Sequence, residues 1–206
     1  MPYTDVAKNA MLTAEHIGTA NGSPITHVGL ATQGTTGTLT TPFGVASTDV
    51  LTDTTHGLSV NDCIVFLTLT GGTGIIIGHP YFVKTVPTGD TFTLSGTVGG
   101  PTLDFTADAS AGTYARLNEV TGGSPAYARK AVTWNAAVSG TIDDSTAPIV
   151  LDVPAATTVS WVLFTSHIST SIGTAGILRG VVDVTDEVFA AQGTYTVTDA
   201  DGLMPN

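Results

Sequence analysis

Beyond residue 24 the apolar residues of this chain come in short runs rich in Val, Ile, Thr, Phe and Tyr, each closed by Gly, Pro, Asn or Asp. That is the pattern of β-strands joined by tight turns. A strand is predicted over residues 25 to 32. "VASTDVLT", "CIVFLTL", "PYFVKTV", "TFTLSG" and "LDFTADASAGTYARL" then form a first series assigned to residues 35–113, the last string running on to Leu117, the size of a small barrel or sandwich module. A second series, "AYARKAVTW", "IVLDV", "TVSWVLFTS", "ILRGVVDV" and "GTYTVTD", has the regular turn punctuation of a sandwich. Only the first segment carries helical spacing. Thr4 can cap it, Asp5 suits its first turn, and Val6, Ala7, Ala10, Met11, Ala14 and Ile17 recur on one face before Gly18. The predicted class is all-β: a β-sandwich base domain with a short N-terminal helix and an inserted small β-barrel-like module.

The insertion follows from a weak internal echo. "GSPITHVGL" at 22–30 shares letters with "GSPAYARKA" at 123–131 and with "TVSWVLFTS" at 158–166, which assigns the strand at 25–32 to the C-terminal sandwich. The base domain is then residues 1–34 and 114–206, and residues 35–113 are an insertion entered through a Gly/Thr-rich hinge, "TQGTTGTLTTPFG". The module is expected to project from the base.

Composition changes this picture in one respect. With 206 residues and 42% apolar content the chain can build a sizeable core, yet only 11% of residues are charged, against roughly 25% in ordinary soluble domains. The surface is therefore mostly hydroxyl and backbone, which suits a subunit covered by neighbours. Seventeen acidic against six basic residues give a net charge of −11. Phosphate neutralisation needs clustered cations, so the sequence predicts no nucleic-acid partner. No run is long enough to span a bilayer, and the N-terminus lacks a basic region followed by an apolar core. Synthesis in the cytoplasm without membrane insertion is expected.

The candidate chemistry is thin. Cys63 lies in an apolar strand and reads as a small buried hydrophobe. Gly72, Gly74 and Gly78 in "GGTGIIIG" have a relaxed dinucleotide-loop spacing, but β-branched residues and Pro80 follow where a helix is required. They read as a hairpin loop. His16, His27, His56, His79 and His167 are dispersed, with no metal-ligand spacing. Asp143-Asp144 and Asp186-Glu187 are sequence neighbours, which strand geometry turns apart. "DADG" at 199–202 resembles the start of a calcium loop without its distal glutamate. No catalytic residue, cofactor or metal is expected, and the chain reads as no enzyme.

Several stretches are similar to known proteins by type. "MPYTDVAKNAML", "ITHVGLAT", "NEVTGGSPAYARKAVTWNAA", "VLDVPAATTVSWVLFTS" and "EVFAAQGTYTV" resemble a family of small virion proteins of tailed bacteriophages, tail fibre or minor tail proteins. Separately, "HGLSVNDCIVFLTLTGGTGIIIGHPYFVKTVPTGDTFTLS" resembles a β-module of phage structural proteins, with an HGL turn, a TGGTG loop, a YFV strand and a DTFTLS strand. The resemblance implies a structural virion protein, a minor tail or tail fibre component that docks on the particle. Its partners would be copies of itself, as a homotrimer, and other virion proteins, with a host-envelope glycan as a further ligand. A capsid decoration protein and a carbohydrate-binding receptor module are the alternatives. Docking is assigned to the N-terminal helix and to the strand holding Tyr127, Arg129, Lys130 and Trp134. Arg129 and Lys130 either meet a neighbour's carboxylates or are simply solvated. Tyr81 and Phe82, with Trp161, are candidates for an exposed aromatic surface, or else for core.

Overall fold

The computed structural model describes residues 24–139, 148–168, 171–173 and 178–198, and all regular structure among them is β-strand. The helix expected at 4–18 and the "DADG" carboxylates lie outside the described residues, as do Asp143 and Asp144. The described residues fall into two compact units. One spans Thr32–Asn118 together with residues 171–173, and the other takes in residues 24–31, 119–139, 148–168 and 178–198. The sequence-based boundaries were 34/35 and 113/114. Strands β1 (His27–Thr38) and β7 (Ala109–Glu119) contribute residues to both units. The expected 113/114 boundary therefore falls inside β7.

The Thr32–Asn118 unit is a closed barrel of six strands: β2 (Gly44–Val45), β3 (Val50–Thr52), β4 (Cys63–Gly71), β5 (Pro80–Thr88), β6 (Thr91–Ser95) and β7. Their order is β7-β2-β3-β6-β5-β4, and pairing of β4 with β7 closes the ring, from Cys63 opposite Leu117 to Gly71 opposite Ala109. Closure removes the exposed strand edges that so weakly charged a sheet would otherwise present. Alternate residues point inward: Ile64 and Phe66 from β4, Tyr81 and Val83 from β5, Phe92 and Leu94 from β6, and Tyr114 from β7.

Aromatic rings run through that interior. A line of tilted and edge-to-face contacts runs from His56 to Phe92 (5.2 Å between centroids), Phe92 to Tyr114 (5.6 Å), Tyr114 to Phe66 (6.2 Å), Phe66 to Tyr81 (6.4 Å) and Tyr81 to His79 (5.0 Å). Each such pair adds about 0.5–1.5 kcal/mol beyond its burial.

Residues 103–108, expected as part of a strand, are irregular. Side chains supplement scattered backbone bonds there: Phe105 donates its N–H to Asp49 Oδ1 (3.2 Å), and Asp108 Oδ1 accepts from the Ala46 N–H (2.8 Å).

In the other unit β1 is flanked by β10 (Thr157–Thr165) and β8 (Lys130–Ala131), and β10 also pairs with β11 (Leu178–Phe189). A separate two-stranded sheet joins β9 (Ile149–Val153) to β12 (Gly193–Val197). One core takes Val28 and Leu30 from the first layer and Ile149, Leu151 and Val197 from the second, with Val159, Val162 and Phe164 of β10. Every residue from Val159 to Thr165 is buried, as a strand paired on both edges and covered on both faces requires.

Candidate functional site

The residues assigned to docking lead into the interior of their unit. After β7 the chain turns at Gly122 and Gly123, where the Tyr127 N–H donates to the Gly122 carbonyl (2.7 Å). Only Lys130–Ala131 of the expected strand "AYARKAVTW" is a strand. The irregular path sends Tyr127 and Arg129 inward. Arg129 meets the Glu119 carboxylate side-on, Nε to Oε1 at 2.6 Å and Nη2 to Oε2 at 2.7 Å. Its Nη1 donates to Thr165 Oγ1 (3.2 Å) and to the His167 carbonyl (2.9 Å). The Tyr127 hydroxyl accepts the Leu30 N–H (2.7 Å) and donates to Glu119 Oε1 (3.3 Å).

This arrangement corrects the expectation that Arg129 and Tyr127 form a docking surface. The Arg129 and Glu119 side chains are only 1% and 3% exposed, so the carboxylate awaiting Arg129 belongs to its own chain. A fork-shaped guanidinium fits a carboxylate in two parallel hydrogen bonds, and a buried charge demands such a partner. Lys130 keeps an outward position, with Nζ 3.8 Å from Asp152 Oδ2. Trp134 packs half-buried on the core and donates its indole N–H to the Ile25 carbonyl (2.9 Å).

The electrostatics follow from burial. Desolvation, and then the Glu119 charge, push the Tyr127 hydroxyl far above its ordinary pKa, so it stays a neutral donor. His27, opposite Thr165 in the register, is lowered by burial and by the neighbouring Arg129 and His167.

The barrel repeats this device. Tyr114 donates its hydroxyl to Asp53 Oδ2 at 2.7 Å, both buried. In each unit a glycine of β1 makes the room. A Cβ on Gly29 would stand 2.8 Å from the Tyr127 oxygen and 3.4 Å from Glu119, and one on Gly37 would be driven into the Tyr114 ring and the Asp53 carboxylate. Nothing in the sequence marks Glu119 or Asp53 as the partner of a distant tyrosine; both were missed.

Tyr81 and Phe82 are not surface residues. They are 3% and 2% exposed: Tyr81 faces the barrel core, while Phe82, on the opposite face of β5, is buried too. Trp161 is likewise buried. The exposed aromatic surface is thus corrected to core. His56 accepts the Leu58 N–H at Nδ1 (2.9 Å) beside a left-handed Gly57, and burial lowers His79. Burial, and then Asp62, raise the Cys63 thiol out of reach of ordinary deprotonation. Among the described residues no three His, Cys, Asp or Glu side chains converge as a metal site would need.

What the surface does offer is apolar. The β4–β5 loop places Ile75 in the barrel core but leaves Ile76 and Ile77 exposed, at 62% and 52%. The signal was present in the sequence as three isoleucines set between Gly74 and Gly78. No family model matches the chain, and neither a curated protein nor a solved structure does.

Proposed function

We propose that this chain is a structural protein of a tailed-bacteriophage particle: a two-layer β base that docks in the tail, as a homotrimer, and carries a β-barrel module for presentation. The observation that supports this reading is where the chain puts its scarce charge. Only 11% of residues are charged, and the buried charged groups are spent internally, Arg129 on Glu119 in one unit and Asp53 on the Tyr114 hydroxyl in the other. The exterior left for function is hydroxyls, backbone, carboxylates and a few exposed apolar side chains such as Ile76 and Ile77, which suits lasting contact with neighbouring subunits. The carbohydrate-binding alternative loses its aromatic platform, since Tyr81, Phe82 and Trp161 are buried.

Antibody labelling of purified particles tests the proposal. Label on the tail supports it. Label on the head moves the chain to shell decoration, and particles that lack the chain overturn a virion role. Light scattering that finds monomers both in solution and in protein released from particles removes the trimer.

A further inference from the structure

We infer that Ile76 and Ile77 form a preformed apolar anchor, seated in use in an apolar pocket of a different protein whose rim is basic. The inference rests on the virion reading only for where that protein is to be sought.

The loop holding these residues is pinned rather than loose. The Gly72 N–H donates to the Asp108 carbonyl (3.0 Å), the Ile75 N–H to Gly72 (2.9 Å), the Thr106 N–H to Thr73 (2.8 Å) and the Gly78 N–H to Phe66 (3.0 Å). The buried Tyr81 hydroxyl accepts the Ile76 N–H itself (2.8 Å). Gly74 (φ 111°) and Gly78 (φ 79°) allow bends that isoleucine could not make. Between them Ile75 is driven into the core as a plug. A fixed loop that points two adjacent β-branched side chains at water loses little conformational freedom when they are covered, which is the economy of a preorganised hot spot.

Charge selects the occupant. Residues 57–83 and 99–115 contain no Lys or Arg. Asp104 and Asp108 flank the loop, with the Asp104 carbonyl 3.3 Å from a Cβ built on Gly74. Two copies meeting loop to loop would bring these aspartates together, and two isoleucines cover a small fraction of the ~800 Å² per partner of a standard interface. An anionic leaflet would be repelled in the same way. An apolar pocket with a basic rim on another protein meets both constraints.

The test uses the buried Cys63 to advantage, because Ile77→Cys adds the one accessible thiol among the described residues. Maleimide labelling of Ile77→Cys is timed in the purified chain and in the native assembly recovered from the cells that produce it. Labelling is expected to be fast in the purified chain and slowed about tenfold or more in the assembly, with Ile76→Ser/Ile77→Ser keeping its melting temperature and losing incorporation by a similar factor. Equal labelling in both states, or recovery of the chain only as itself, overturns the inference. Protection that grows with the concentration of the purified chain assigns the anchor to a second copy and overturns it too. Protection by phosphatidylcholine vesicles overturns it in favour of lipid. Electron microscopy of the same assembly reads the virion proposal separately: an assembly that is no particle removes that function while leaving the anchor standing.

Discussion

Replacing Glu119 with alanine leaves the Arg129 guanidinium buried with only Thr165 Oγ1 and the His167 carbonyl among the acceptors described above. Both side chains of the pair are almost wholly inaccessible, so bulk water does not solvate the charge left behind. Removing one partner of a buried pair costs about 3–5 kcal/mol, whereas an exposed pair is worth ~1 kcal/mol or less. Glu119→Ala and Arg129→Met should therefore each fall in the higher range. The double variant Glu119→Leu/Arg129→Met removes both charges together and should recover most of the loss, because an apolar pair of similar volume is often as stable as a buried ion pair. The assay is urea unfolding followed by tryptophan fluorescence. Both tryptophans, Trp134 and Trp161, lie in the unit that holds the pair, so the signal reports that unit alone. Single variants that cost under ~1 kcal/mol, or a double variant whose loss is the sum of the two, would refute the coupling.

Further expectations concern the barrel and the division of the chain. Gly37→Ala forces a methyl into the Tyr114 ring and Asp53; overpacking of this kind costs ~1–3 kcal/mol. Near-ultraviolet dichroism of the tyrosines should show it while the tryptophan transition stays in place, and an unchanged barrel would refute it. Burial holds the His79 pKa below the ordinary imidazole value of about 6.5, so the unfolded chain binds this proton more readily and barrel stability falls as pH drops below that value. The slope is at most ~1.4 kcal/mol per pH unit for one proton; His79→Gln should flatten it in calorimetry, and identical slopes would refute the assignment. Replacing residues 33–117 by an Asn-Gly turn should leave a soluble base with native tryptophan fluorescence. Thr32 Oγ1 already donates to the Asn118 carbonyl at 3.3 Å and the Val120 N–H to Leu30 at 3.0 Å, the spacing a two-residue hairpin closes, so loss of all soluble protein would mean that the two cores fold only together.

Strand content was legible because each short apolar run ends at its own breaker. "CIVFLTL", "TFTLS", "IVLDV" and "GTYTV" appear in the structure close to where the pattern put them. The faces were less legible. Two adjacent aromatics in a strand point opposite ways, and the sequence could not say that the outer face of β5 is covered, which turned Phe82 from an exposed residue into a buried one. Nor could it pair Arg129 with Glu119. A lone basic dipeptide looks like surface until the turn at Gly122 and Gly123 brings the chain back on itself, and that reversal depends on backbone conformation rather than on any charge pattern.

The same kind of pairing occupies most of the chain's few cations. Among the six cations of the chain, Arg116 lies 3.3 Å from Asp62, Arg129 grips Glu119, Lys130 faces Asp152, and Lys84 reaches the Gly99 carbonyl at 3.3 Å. Each cation committed within the chain is withdrawn from the field a partner meets. With 17 acidic residues against those six, most carboxylates keep no cation to balance them, and the net charge a partner meets is negative. Like-charged copies then repel at long range, so association must rely on short-range apolar contact or on a partner of opposite sign. Neutralising Asp104 and Asp108 as asparagines separates these two routes. If the isoleucine anchor seats against a basic rim, the double variant slows association and removes most of its salt dependence while the dissociation rate barely changes. A variant that associates at the wild-type rate at every ionic strength would mean that the acidic surface only keeps the molecules apart.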